Sequence, residues 1–203
     1  MSINISSITK SFSNKKVYDN FSLKIETGEI IGIFGPNGCG KTTLLKIISG
    51  IMSFEAGKIL INEEYLKPDN AESRRETYYL GHSTGLYKSL TAAENLTFIA
   101  NLYNKKNFNV EPILEKIGLD KNEKKQIRFF SKGMLQRLKI GACIILDCKI
   151  LLLDEPIAGL DEKGVKLFYN LYQIWRETNK TILIVSHDMD WLKKNTDRVL
   201  ELN

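Results

Sequence analysis

Three short apolar runs punctuate the chain: Ile30–Phe34, Ile150–Leu153 and Thr181–Val185. Runs this short and this rich in Ile, Leu and Val read as strands buried on both faces. Helix-like stretches, Thr42–Gly50, Glu162–Thr178 and Asp190–Thr196, flank them across polar or Gly-containing loops. Strands alternating with helices predict a mostly parallel sheet covered on both sides. The opening segment, Ile3–Ile25, carries the polar "NKKVYDN" and reads as an antiparallel hairpin beside that sheet. From about Thr91 to Leu146 the pattern is mostly helical, and Thr91 and Glu94 have the spacing of a capping box. The expected fold is therefore α/β, with a mostly parallel core sheet, an N-terminal antiparallel β subdomain and a helical subdomain over roughly residues 91–146. Residues 1–203 are expected to form a single domain.

Composition narrows the class. The 203 residues are 43% hydrophobic and 26% charged, with 4 Pro, which suits a globular protein with a sizeable core. No apolar run approaches the roughly 18–20 residues that cross a bilayer. "MSINISSITKSF" lacks the basic and apolar regions of a signal peptide, so a chain that stays inside the cell is expected. Cys39, Cys143 and Cys148 form no CxxC pair and read as reduced, packed thiols. His82 and His187 lie too far apart in sequence to suggest a zinc site. The net charge of +5 comes from lysines in mixed-sign patches such as "KNEKKQIR", which read as solvated surface.

"GPNGCGKT", Gly35–Thr42, fits G-x-x-x-x-G-K-[ST], following a buried strand and opening a helix as a phosphate-binding loop requires. Gly35, Gly38 and Gly40 let successive N–H groups point inward at phosphate oxygens, and the helix start adds its positive dipole end. Lys41 is expected to reach the β- and γ-phosphates, and the Thr42 hydroxyl to take a Mg²⁺ position. Such a loop needs an acid at the end of a neighbouring strand. "KILLLDEP" supplies Asp154 as the candidate metal ligand and Glu155 as the base that polarises an attacking water, with Pro156 ending the strand.

A second Ser/Gly turn, "FFSKGMLQRLKIG" (Phe129–Gly141), opens another helix far from the first grip. The order "GPNGCGKTT", "FSKGMLQR", "ILLLDEP", "AGLD", "VSHD" resembles the ATP-binding subunits of ABC transporters over nearly the whole chain. The resemblance implies that Gly35, Pro36, Asn37, Gly38, Cys39, Gly40, Lys41, Thr42 and Thr43 hold MgATP. It implies that two copies pack head to tail, with Ser131 and Gly133 gripping the γ-phosphate on the partner. Phe12, in "KSF", matches the ring that stacks on adenine; an ordinary buried strand Phe is the alternative. Asp161, in "AGLDEKG", matches the loop that crosses the interface. His187, in "LIVSHD", matches the residue that senses the γ-phosphate and organises the water.

Two features depart from the common pattern. The signature reads Ser-Lys-Gly-Met where many members have Ser-Gly-Gly-Gln, and His82 stands where Gln is usual, carried over as a candidate metal-linked residue. "GH" followed by "LTAAENL" is similar to the ATPase of the haem exporter of cytochrome c maturation. The resemblance implies an ATPase driving transport, an exporter among the possibilities. Its partners would be a second ATP-binding subunit, as a homodimer, and separate transmembrane permease subunits that dock near His82–Leu102. It would sit on the cytoplasmic face of the membrane, and no nucleic acid is expected. The rival from another class is a soluble ABC-type ATPase acting on ribosomes or nucleic acid. A single cassette, with Lys41 and Ser131 only 90 positions apart, speaks against it. "FSKGM" and "VSHD" in order speak against a P-loop kinase.

Overall fold

The computed structural model describes residues 1–13, 15–66, 74–81, 85–105, 107–122 and 124–203. The chain divides into two compact units: Met1–Tyr79 with Cys148–Glu155 and Trp175–Asn203, and Leu80–Asp147 with Pro156–Ile174.

The first unit holds a four-stranded antiparallel sheet, ordered β2-β1-β4-β5, built from β1 (Ile3–Phe12), β2 (Lys15–Ile25), β4 (Ala56–Ile61) and β5 (Glu64–Tyr65). The expected hairpin is present, with Ile3 opposite Ile25 and Phe12 opposite Lys15. Its buried residues Ile3, Ile5 and Ile8 break strict alternation after Ile5. Ser7, at φ 53°, sits where the register shifts and absorbs the extra residue as a bulge, which returns Ile8 to the core face.

The second sheet runs β6-β7-β8-β3-β9: β6 (Thr77–Leu80), β7 (Ile150–Asp154), β8 (Thr181–Val185), β3 (Ile30–Phe34) and β9 (Arg198–Glu201). The β7–β8, β8–β3 and β3–β9 pairs are parallel. Every residue of β7 and β8 is buried, which suits the apolar runs Ile150–Leu153 and Ile182–Val185, with Asp154 and Thr181 as buried polar ends. Helix α1 (Lys41–Ile48) joins Leu44, Leu45, Ile47 and Ile48 to one core with Ile31, Ile33, Ile150, Leu152, Leu183 and Val185. The short α6 (Met189–Asn195) is capped by Asp188, whose carboxylate accepts the Trp191 N–H at 2.9 Å.

The second unit is helical: α2 (Ala92–Leu102), α3 (Glu111–Lys116), α4 (Lys132–Leu146) and most of α5 (Glu162–Glu177). The capping box at α2 is complete, Thr91 Oγ1 accepting from Glu94 N–H and Glu94 accepting from Thr91 N–H. Asn104 and Asn107, both left-handed, lie between α2 and α3, and a 3-10 turn at Ile127–Phe129 precedes α4. The helical reading of 91–146 is therefore interrupted twice.

Candidate active site

The first grip forms where β3 ends. Gly35, Gly38 and Gly40 have φ of 152°, 82° and 112°, conformations side chains resist. This lets the backbone curl into the loop that precedes α1. Lys41 is 7% exposed, and its ammonium donates to the carbonyls of Gly35 (2.7 Å) and Pro36 (2.8 Å). Tyr18, on β2, braces the loop: its hydroxyl donates to the Gly40 carbonyl at 3.0 Å. Burial, with Cys39 nearby, pushes the Tyr18 phenol well above its usual range, so it remains a donor. A cavity of about 310 Å³ opens here, and its lining includes Phe12, Asn37, Gly38, Lys41, Thr42 and Glu155. Phe12 is 45% exposed with the Lys10 ammonium 5.3 Å from its ring centre, which removes the buried-strand alternative.

The two acids at the end of β7 take different surroundings. Asp154 is 2% exposed and its Oδ2 accepts two hydroxyl protons, from Thr42 at 2.8 Å and Tyr79 at 3.0 Å. Burial, then the Asp154 charge, raises the Tyr79 phenol far above its ordinary value. Glu155 has φ 50°, and its backbone N–H donates to the Val185 carbonyl on β8. Its Oε1 lies 2.8 Å from His187 Nε2, so an ionised Glu155 calls for the Nε2–H tautomer. The Thr42 hydroxyl beside a buried carboxylate is a hard-oxygen donor set, and it fits Mg²⁺ completed by phosphate oxygens.

The second Ser/Gly turn lies in the helical unit. Ser131 is the N-cap of α4, its Oγ accepting from Met134 N–H at 3.2 Å, and the helix begins at Lys132, ahead of the expected Met134. Arg137 donates to the Ile117 carbonyl at 2.9 Å and pairs with Asp161, whose Oδ1 also accepts from Gly164 N–H. The hydrogen bond from Arg137, before the Gly164 amide, holds the Asp161 carboxyl below its usual range. Gln136 donates to the Pro156 carbonyl at 2.7 Å, and buried Lys139 to the Gly81 carbonyl at 2.6 Å.

Of the residues singled out from the sequence, Phe12, Gly35–Thr43, Asp154, Glu155 and His187 belong to the first unit. Ser131, Gly133 and Asp161 belong to the second. His82 lies outside the described residues. Tyr18, Tyr79, Arg137 and Lys139 were not foreseen. Single tyrosines in strands carry no chemical signature, whereas a lysine inside the apolar stretch of α4 could have been noticed.

With this geometry in place, comparison with known proteins identifies the class. The family model described as "ABC transporter" matches residues 18–158, and the chain belongs to that family, whose ATP-binding domains are ATPases. It is 31% identical over 188 residues to the lantibiotic transport ATP-binding protein SrtF of Streptococcus pyogenes, covering 91% of this chain and 80% of that protein. Against the bacitracin transport ATP-binding protein BcrA of Bacillus licheniformis, identity is 34% over 200 residues, 97% of this chain and 65% of the relative. A dimeric ATP-binding cassette solved in a post-hydrolysis state with ADP and phosphate superimposes with a TM-score of 0.85. It is 24% identical, covering 99% of this chain and 94% of that one, a likeness of fold.

Proposed function

We propose that this chain, read as one ATPase domain over residues 1–203, is the motor of a membrane exporter. In this reading it works as a homodimer beside separate permease subunits, on the cytoplasmic face of the membrane. One observation carries the reading: Lys41, Thr42 and Glu155 line a single cavity, so an anion grip and a base share one chamber.

The triphosphate lies along Gly35–Thr43, with the Lys41 ammonium turning from the Gly35 and Pro36 carbonyls to the β- and γ-oxygens. Phe12 stacks on the base. Thr42 and Asp154 would hold Mg²⁺, which when bound would supply positive charge against the charge building on the phosphate oxygens. Glu155 accepts a proton from water as the water oxygen bonds to the γ-phosphorus and the bond to the β–γ bridging oxygen breaks, releasing ADP and phosphate. His187 Nε2–H orients Glu155 through the 2.8 Å contact. Ser131, Gly133 and the interface loop at Asp161 serve the nucleotide of the second copy, so closure needs ATP and hydrolysis reopens the pair. The dimeric cassette with ADP and phosphate supports this cycle.

The SrtF and BcrA names support peptide antibiotics as the cargo class. The haem-exporter likeness rests on Gly81, His82 and Leu90–Leu96 alone, and we do not adopt it. Among the described residues no helix is long and apolar enough to cross a membrane.

Glu155→Gln tests the base. The expected result is retained ATP binding, hydrolysis lower by about 10²–10⁴-fold, and a stable dimer on gel filtration. Rapid turnover by that variant would remove Glu155 from the mechanism. Mixing Lys41→Ala with Ser131→Arg chains is expected to restore one composite site, and a mixture as inactive as either variant alone would count against the shared-site arrangement.

A further inference from the structure

Asp154 ends β7 almost wholly out of water, and a buried carboxylate keeps its charge only where donors hold it. Both of its side-chain hydrogen bonds converge on Oδ2. One comes from Thr42, on the phosphate loop's helix; the other comes from Tyr79, on β6 next to β7. The two donors are unequal. Under the reading above, the Thr42 hydroxyl also turns a lone pair to the cation, so its position changes with the ligand. Tyr79 comes from the sheet and has no such second duty. Its ring is half-buried and packs against the main core, which fixes where the phenol points.

We propose that Tyr79 is a positioning residue for the metal: its hydroxyl, holding Asp154 Oδ2 from β6, sets the affinity of the site for Mg²⁺. The inference rests on the assignment of Thr42 and Asp154 to the cation. Groups that orient a metal ligand without touching the metal commonly change metal affinity by about 10–100-fold. Tyr79→Phe removes one oxygen and keeps the ring that fills the core, so it isolates the hydrogen bond from the packing.

The experiment measures binding of a fluorescent ADP analogue to the full chain across a Mg²⁺ series and in excess EDTA, with Mn²⁺ followed separately by its electron paramagnetic resonance signal. The expected result is equal nucleotide affinity for wild type and Tyr79→Phe in EDTA. With metal, the variant needs about 10–100-fold more Mg²⁺ to reach the same affinity and holds Mn²⁺ correspondingly more weakly. Matching Mg²⁺ midpoints, within about twofold, would overturn the proposal. So would an equal loss of nucleotide affinity with and without metal, because the hydroxyl would then be a contact of the fold. A wild-type protein whose ADP affinity ignores the cation would overturn the metal assignment itself, and the role of Tyr79 with it. A wild type that responds and a variant that matches it would overturn only Tyr79.

Discussion

Gly133, in the signature turn, is there for want of room, and the shortfall can be measured. A Cβ built on it would lie 2.6 Å from the Gly159 carbonyl oxygen, about 0.8 Å inside the 3.4 Å where ordinary contact begins. Nothing flexible can yield, since the opposing atom is backbone. The turn carrying Gly159 is also tied to α4 by the Gln136–Pro156 hydrogen bond at 2.7 Å, so retreat stretches that bond. Gly133→Ala therefore costs about 1–3 kcal/mol, the usual range for forcing a methyl into a packed contact. For a chain of this size that is roughly 2–12 °C in Tm. The assay is calorimetric melting without nucleotide, so that loss of any phosphate contact plays no part. Gly85→Ala is the control: among the described residues nothing lies within 4 Å of its added Cβ, and it is expected to melt within about 2 °C of wild type. If Gly133→Ala melts with wild type, or no lower than the control, close approach is not why glycine stands there.

Tyr18→Phe leaves the Gly40 carbonyl without its 3.0 Å donor and is expected to cost about 0.5–1.5 kcal/mol in denaturant unfolding, with weaker ATP binding; unchanged values on both would show the brace to be idle. Lys139→Met probes a lysine whose pKa burial lowers. Between that lowered value and its unfolded value near 10.4, the unfolded chain holds the extra proton, so this residue makes wild type more stable as pH rises through that window. The wild-type Tm minus the variant Tm should grow as pH rises toward the unfolded value, and a difference flat with pH would contradict the burial cost. Glu155→Gly releases a left-handed φ worth about 1 kcal/mol while abolishing hydrolysis, and it should melt no lower than Glu155→Gln. A clearly lower melting point would deny the strain.

Much of this was legible because some positions admit few alternatives. Ile30–Phe34 and Thr181–Val185 were readable to the residue, since strands buried on both faces show as short aliphatic runs. Strand β7 runs one residue past the apolar run because Asp154, though charged, is still paired with Val185. The glycine loop between β3 and α1 was readable as a tight turn because Gly35, Gly38 and Gly40 supply the positive φ that such a turn needs. The helical segment was coarser: the left-handed Asn104 and Asn107 stop the chain where polar residues alone could equally continue a helix. Phe12 stayed ambiguous because periodicity cannot tell an aromatic ring on a cavity from one in the core. Tyr79, Tyr18 and Arg137 were invisible for a plainer reason. Each acts through a partner far away in sequence, Asp154, Gly40 and Asp161, and only the folded chain brings such pairs together.

The pair Asp154–Glu155 joins these threads. Along an extended strand, adjacent side chains point to opposite faces, so two neighbouring acids would be divided between the faces of the sheet. Asp154 remains in the strand and receives the Thr42 and Tyr79 hydroxyls. At Glu155 the backbone turns to φ 50°, Pro156 bars further pairing, and the Val185 carbonyl takes the Glu155 N–H. That turn is where the carboxylate meets His187 and the cavity. One local distortion thus separates the buried carboxylate proposed as the metal ligand from the half-open one proposed as the base, one residue on. The strain and the chemistry have the same origin, the left-handed backbone that ends β7.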